Sequence, residues 1–101
     1  MADREAIQAQ LAALKGIFLS QLGARLDELE AAWALADYAE VHRQAHKLAG
    51  TAGTFGVAEV SALARGLEQR LGRAREGLAL TEGEFQEALG FVRQLREAAP
   101  K

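Results

Sequence analysis

Residues 37–53, DYAEVHRQAHKLAGTAG, carry the clearest helical pattern of the chain, and the predicted fold is built outward from them. Asp37 is a typical N-cap residue, and Glu40, three positions later, completes a capping box. Apolar side chains then recur every three or four residues, which is the period of a helix. The members of this stripe are Tyr38, Val41, Ala45, Leu48 and Ala52. The segment therefore predicts an amphipathic helix from Tyr38 to about Ala52.

Residues 3–35 repeat the same period over a longer stretch. The apolar positions are Ile7, Leu11, Leu14, Phe18, Leu22, Leu26, Leu29 and Trp33. This pattern predicts either one long helix or two helices that meet near Gly16. Because a glycine inside a helix costs about 1 kcal/mol relative to alanine, we expect a break or kink near Gly16.

Two further helices are predicted after the turn at residues 53–56. The first covers residues 57–75, and its inward positions are Val60, Leu63, Ala64, Leu67 and Leu71. The second covers residues 82–98, and its inward positions are Phe85, Leu89, Val92 and Leu95. Thr81 and Glu84 form a capping box at its start, and Pro100 follows its end as a stop signal.

Each predicted helix has one apolar stripe, and the connections between helices are short. Short connections make consecutive helices antiparallel neighbours. We therefore predict an all-α fold, an antiparallel up-down-up-down four-helix bundle that forms a single domain over residues 1–101. An additional short N-terminal helix is the alternative to a continuous first helix. All the stripes are expected to be buried in one shared core.

The composition agrees with a helical bundle. The chain has 22 Ala and 15 Leu but only four Val and two Ile, which favours helix over sheet. It has no Cys, so disulfides, thiolate metal sites and thiol nucleophiles are excluded. No apolar run approaches the roughly 18 residues of a membrane span, and no signal peptide is recognisable. We therefore expect a cytoplasmic protein without a membrane partner.

The charge is unevenly distributed along the chain. The formal net charge of −2 predicts no attraction to nucleic acid. Residues 41–75, however, carry six basic and two acidic side chains, and both histidines lie among them. This middle segment is suited to a bound anion or an acidic partner surface.

His46 is the strongest candidate for a reactive group. On a helical wheel it lies roughly 120° from the centre of the apolar stripe, so its ring is expected to be exposed. Gly50 lies one turn further along the same face, and Ala39 lies about two turns back. Small residues beside an exposed imidazole let another molecule approach it closely. Gly53 is either a part of this surface or the C-cap glycine of the helix.

His42 and His46 are also spaced as two metal ligands on one helix face can be. No acidic residue lies within residues 41–58 to complete a ligand set. We therefore expect no metal site, and we interpret His42 as a flanking or packing residue.

The segment His46-Lys47-Leu48-Ala49-Gly50, with Gly56 ten residues after the histidine, resembles the signature of histidine-containing phosphotransfer (HPt) domains. The family pattern is His-x-Leu-Lys-Gly, followed by small residues and a second Gly. Ala45 and the pair Leu67-Glu68 also fit it. The resemblance covers roughly residues 10–98, because the order and lengths of the helices match as well.

The resemblance implies a phosphorelay carrier, with His46 as the phosphoacceptor. His46 would take a phosphoryl group from the aspartyl phosphate of one response-regulator receiver domain and pass it to the aspartate of another. A hybrid histidine kinase is a further candidate partner. The chain is then not an enzyme: it binds no ATP and no cofactor, and Mg²⁺ is expected on the receiver. Phosphoryl transfer needs in-line approach and charge neutralisation more than covalent help, so an exposed ring on a rigid helix suffices.

One position departs from the family pattern. The family has Lys three residues after the histidine, where this chain has Ala49. Lys47 and Arg43 are nearby cations, and with Gly50 they are the expected support of the phosphoryl site. Three residues of the next helix are alternative sources of support: Arg65, Gln69 and Arg70. The receiver is expected to dock over Ala39, His42 and Gly53.

Two other functions are open to a chain of this kind. One is the phosphoacceptor hairpin of a sensor histidine kinase, which dimerises, but that motif places an acidic residue after the histidine, where this chain has Lys47. The other is a non-catalytic helical adaptor that makes no use of His46. Four amphipathic helices in one chain favour a monomer, and hence the phosphorelay carrier.

Overall fold

Five α-helices form the chain over residues 2–100, the part that the computed structural model describes, apart from the side chain of Ala2. They are α1 (Ala2–Ala34), α2 (Tyr38–Thr54), α3 (Ala58–Arg70), α4 (Gly72–Arg75) and α5 (Glu82–Ala98). No strand occurs in this span. The predicted all-α class is confirmed.

α1 is one uninterrupted helix, so the expected break near Gly16 is wrong. The cost of about 1 kcal/mol at each interior glycine is small beside the many Ala and Leu residues that favour helix in the same 33 residues. The helix ends where Ala36 takes a positive φ of 56°. The N–H of Asp37 then donates to the carbonyl of Ala32 at 3.0 Å, which closes the helix end.

α2 begins as the sequence predicts and ends slightly later. The Asp37 side chain accepts a hydrogen bond from the N–H of Glu40 at 3.3 Å. The return half of the predicted capping box is missing, because the Glu40 carboxylate binds Arg43 and Gln44 instead. The helix runs through Gly53 to Thr54, and the left-handed residue after it is Gly56, with φ of 72°. The C-cap interpretation of Gly53 is therefore wrong.

The predicted helix over residues 57–75 is divided at Leu71, which is fully buried. The extra short helix of this fold is thus α4, in the second half of the chain, rather than one at the N-terminus. α5 begins and ends as predicted, because both halves of its capping box form. The N–H of Glu84 donates to Oγ1 of Thr81 at 3.1 Å, and the N–H of Thr81 donates to Oε1 of Glu84 at 2.8 Å.

The four long helices form a closed bundle in which α1 packs on α2, α2 on α3, α3 on α5, and α5 on α1. Most of the predicted inward positions are buried in its core. Ala49 and Ala88 are buried as well, although neither belongs to a predicted stripe. Gly66 on α3 permits a close approach of α5, because a Cβ there would lie 2.6 Å from ring atoms of Phe91. Within residues 2–100, no helix combines the length and the hydropathy that crossing a bilayer requires.

The first half of α1 lies outside this core. Its stripe is buried from Phe18 onward, but Ile7, Leu11 and Leu14 are 56%, 48% and 44% exposed. The ring centroids of Phe18 and Phe55 lie 6.0 Å apart where α2 ends, and α1 continues past that level for about four turns. The expectation that the whole stripe is buried is therefore wrong for these three residues, because α2 is too short to cover them.

Candidate functional site

His46 lies in the middle of α2, with 72% of its side chain exposed. The exposure agrees with the helical-wheel prediction, since Ala45 and Leu48 on the neighbouring face are buried. Nδ1 of His46 lies 2.8 Å from Oε1 of Glu68 on α3. The ring is therefore open to solvent, but its Nδ1 is hydrogen-bonded to a residue of α3.

The contact with Glu68 distinguishes the two ring nitrogens. A carboxylate oxygen only accepts hydrogen bonds, so Nδ1 of His46 carries the proton and donates it. In the neutral ring, Nε2 then holds the lone pair and is the nucleophilic atom. Only 24% of the Glu68 side chain is exposed, so its carboxylate is a well-placed support for the ring.

Of the grooves that His46 lines, two also include residues of α3. The first lies between α2 and α3, and its lining residues are His42, His46, Ala49, Gly50, Arg65, Glu68, Gln69 and Gly72. The second lies towards the start of α2, and its lining residues are Ala39, His42, Arg43, His46, Lys47, Glu68 and Arg75. A Cβ built at Gly50 would meet no heavy atom within 4 Å. Packing within the chain therefore does not require glycine at position 50. The absence of a side chain there leaves open space beside the imidazole.

Cations from three helices line these grooves. α3 contributes Arg65 to the first groove, while Lys47 of α2 and Arg75 of α4 line the second. Arg70, by contrast, forms an ion pair with Glu87 of α5. Of the three α3 residues that the sequence offered as support, the structure thus brings Arg65 and Gln69 to the groove.

Arg43 is beside the site but already has a partner. Its Nε donates to Glu40 Oε2 at 2.8 Å, and a second N–H pairs with the other carboxylate oxygen. Gln44 donates to the same carboxylate at 3.1 Å. The bonds from Arg43 and then Gln44 lower the pKa of Glu40 from its ordinary value of 4.5 to about 2. Arg43 is thus already paired with Glu40, and it would have to leave this carboxylate to bind an anion at His46.

Ala49 follows His46 by three residues on α2 and lines the first groove with it. It is 3% exposed, and its carbonyl accepts a hydrogen bond from Oγ of Ser61 at 2.9 Å. Position 49 thus carries no charge, and the cations of the two grooves come from other positions of α2, α3 and α4.

The predicted docking residues fall in different places. Ala39 is exposed and lines the second groove, and His42 is half-buried and lines both. Gly53 lies two turns beyond His46, and a Cβ there would be 3.4 Å from Oγ of Ser61 on α3. Among residues 2–100, no three or more His, Cys, Asp or Glu side chains are grouped so that they could hold a metal ion.

Glu68 is the site residue whose role the sequence did not predict, although the pair Leu67-Glu68 was noted as part of the family pattern. A signal for the contact was present. α2 and α3 are antiparallel about the turn at residues 55–57, so a residue ten positions before the turn lies level with one about ten positions after it. Counting as many positions after the turn as His46 lies before it gives residues 66–68, of which only Glu68 is acidic.

Comparison with protein families gives one match. The model of the Hpt domain matches residues 13–99, which is most of the chain. No curated protein and no solved structure gives a significant match. The matched range contains the histidine, both grooves and all four long helices except the first part of α1.

Proposed function

The chain belongs to the Hpt domain family, whose members act in phosphotransfer within two-component signalling, and from that premise we propose that it is a phosphorelay carrier on His46. It accepts a phosphoryl group from the aspartyl phosphate of one receiver domain and passes it to the aspartate of another. Receiver domains are the family's partners, and the receiver of a hybrid histidine kinase is one candidate. The chain acts as an intermediate in transfer, without kinase activity of its own.

The contact between His46 and Glu68 is the observation that carries this proposal. Glu68 holds Nδ1–H at 2.8 Å, so the lone pair of Nε2 is available in a ring that is 72% exposed. Nε2 attacks phosphorus in line and forms the N–P bond. The bond leaves a positive charge on the ring, which the Glu68 carboxylate beside Nδ1 balances. The bond between phosphorus and the aspartyl oxygen breaks, and its electron pair stays on the receiver carboxylate. The reverse reaction, with a second receiver, returns the carrier to its starting state.

The grooves beside the ring supply the charge that the phosphoryl group requires. Arg65 and Gln69 reach the first groove from α3 and take the place of a lysine at position 49, which is Ala49 and is buried. Lys47 and Arg75 line the second groove. Hydrogen bonds from cationic donors to phosphoryl oxygens are among the stronger ones in proteins. Mg²⁺ comes with the receiver, as the chain itself needs no metal for this step.

The receiver docks over the face that surrounds His46 and includes Ala39, His42 and Gly50. Gly50 allows close approach, because nothing within 4 Å of its absent Cβ blocks the way. The contact is transient and buries less than about 1,200 Å² in total, as is usual for encounters that must release quickly. Its rate of association falls with added salt, since cations line the docking face.

Transfer from a phosphorylated receiver tests the proposal. The protein is mixed with receivers of its source organism, phosphorylated in the presence of Mg²⁺, and its acid-labile, base-stable phosphate is measured. We expect the wild type and His42→Gln to acquire phosphate and His46→Gln to acquire none while remaining folded. An adaptor would acquire none in any form, and phosphate on His46→Gln would reject the assignment of the acceptor.

A further inference from the structure

One face of α3 continues into α4 and lies along α2 beside His46. Four residues of this face follow one another in steps of three, four and three and line the two grooves: Arg65, Glu68, Gly72 and Arg75. The face is kept across Leu71, because the carbonyl of Leu71 accepts from the N–H of Arg75 at 3.2 Å in the ordinary helical pattern. The two arginines therefore lie on either side of Glu68 along a single stripe.

The two arginines are at unequal distances from the hydrogen bond between Glu68 and His46. Arg65 lies three residues before Glu68, which is about one helical turn, and Arg75 lies seven residues after it, about two turns. At a rise of about 1.5 Å per residue, the backbone of Arg75 is about 10 Å from the level of Glu68. Arg65 is thus the nearer of the two to a phosphoryl group on His46, and Arg75 is better placed to contact the protein that brings the group.

The charge of Arg75 is available at the second groove. Its side chain is exposed, and it forms no ion pair with any other residue in the range 3–100. Arg73, two residues earlier, lies on the opposite side of α4. There its Nε donates to the carbonyl of Ala79 at 3.2 Å and lies 3.5 Å from Oε1 of Glu84. Two arginines of the same short helix therefore differ: one is held by the chain, and the other is open to a partner.

The backbone around Arg75 is fixed by a closed helix end. Ala74 is buried, and Gly77 takes a positive φ of 81°. The N–H of Leu78 donates to the carbonyl of Arg73 at 2.9 Å, and the N–H of Gly77 donates to that of Ala74 at 3.0 Å. This pair of hydrogen bonds is the Schellman motif, which satisfies the last carbonyls of a helix. Arg75 thus has little backbone entropy left to lose when it binds.

We propose that Arg75 forms an ion pair with a carboxylate of the docked receiver and so favours receivers that are acidic at the facing position. This inference rests on the proposed phosphorelay function. A receiver that carries Mg²⁺ holds the ion with carboxylate oxygens, so negative side chains lie close to its reacting aspartate. Lys47 and Arg75 present the complementary charge in the second groove. Complementary charges at an interface raise the rate of association and the discrimination between partners.

Transfer kinetics test the role of Arg75. With a phosphorylated receiver of the source organism, Arg75→Glu is expected to lower kcat/KM for transfer by about tenfold, mainly through a higher KM. Arg75→Ala, which removes the charge without reversing it, is expected to cause a smaller loss. Arg93→Glu makes the same change of charge at an exposed arginine of α5 and is expected to transfer as the wild type does. Equal losses in Arg75→Glu and Arg93→Glu, with circular dichroism showing both to be folded, overturn the proposal.

The lifetime of the phosphohistidine distinguishes docking from a direct contact with the phosphoryl group. After transfer at high receiver concentration and removal of the receiver, Arg75→Glu is expected to lose its phosphate at the wild-type rate. Faster loss in Arg75→Glu than in Arg93→Glu would place Arg75 at the phosphoryl group and overturn its assignment to the receiver.

Charge reversal in the receiver identifies the partner carboxylate. When exposed Asp and Glu residues of the receiver are changed singly to Lys, one change is expected to restore transfer to Arg75→Glu and to slow transfer to the wild type, as the coupling of a contacting pair requires. If no such change restores transfer, the ion pair is rejected and the carrier function stands. A wild type that takes phosphate from no receiver rejects both.

Discussion

Nδ1 of His46 on α2 lies 2.8 Å from Oε1 of Glu68 on α3, although the two residues are 22 positions apart. The contact joins the exposed imidazole to a neighbouring helix. It fixes which nitrogen carries the proton and limits rotation of the ring. The account of function rests on this contact, since it makes Nε2 the atom that meets the phosphoryl group.

Replacing Glu68 tests the importance of the contact. We expect Glu68→Ala to reduce the rate of phosphoryl transfer to His46 by about tenfold or more, in line with the loss of other such supporting partners. Glu68→Gln keeps a carbonyl oxygen that accepts from Nδ1–H, so it is expected to retain most of the rate. The thermal stability should change little, because a single hydrogen bond to a mostly exposed side chain contributes about 1 kcal/mol or less. Equal transfer rates for Glu68→Ala and the wild type would show that the ring needs no support.

Two substitutions at Gly50 distinguish the close approach of the receiver from the stability of α2. Gly50→Ala is expected to stabilise the protein by up to about 1 kcal/mol, because alanine is the better helix former and its Cβ meets no neighbour. Gly50→Phe is expected to preserve helicity but to abolish most of the transfer, because a large side chain then stands beside His46. Circular dichroism and transfer rates measure the two effects separately. Normal transfer by Gly50→Phe would contradict the close-approach model.

Arg65 is expected to hold the transferred phosphoryl group. Arg65→Ala should lower the rate of transfer, or the yield of phosphohistidine, by about tenfold, which corresponds to the loss of one hydrogen bond to a charged group. Arg93→Ala removes an exposed arginine on α5 and serves as the matched control for net charge. If the two variants lose activity equally, the effect comes from overall charge and the groove has no special role.

Glu40 contributes to stability in a defined range of pH. Arg43 and then Gln44 lower its pKa from the ordinary value of 4.5 to about 2 in the folded protein. Because the folded pKa lies below the unfolded one, its contribution is complete above about pH 4.5 and is lost as the pH falls towards 2. The melting temperature of Glu40→Gln should therefore approach that of the wild type on acidification through this range. A constant difference between the two curves would contradict the coupling.

The sequence predicts best those features that depend on local chemistry. The starts of α2 and α5 depend on caps within three residues, at Asp37 and Thr81, and both are predicted correctly. The exposure of His46 follows from the period of a single helix. Two predictions failed: a break near Gly16, where α1 is continuous, and a single helix over residues 57–75, which is divided at Leu71. Both depend on small differences in helix propensity, which tertiary packing can outweigh.

Other features become visible only when helices are placed side by side. The sequence stripe of α1 does not show that α2 ends near Phe18, so it does not show that Leu11 and Leu14 are exposed. The orientation of Ala49 into the α2–α3 contact, and the approach of Arg65 to His46 from α3, likewise depend on the pairing of two helices.

The most direct test of the central claim is to locate the phosphoryl group by nuclear magnetic resonance of the ¹⁵N-labelled protein after transfer from a phosphorylated receiver. The account predicts a single phosphoryl group on Nε2 of His46, with Nδ1 still protonated beside Glu68. A phosphoryl group on Nδ1, on His42 or on any other residue would contradict it, and so would a chain that acquires none from any receiver of its source organism.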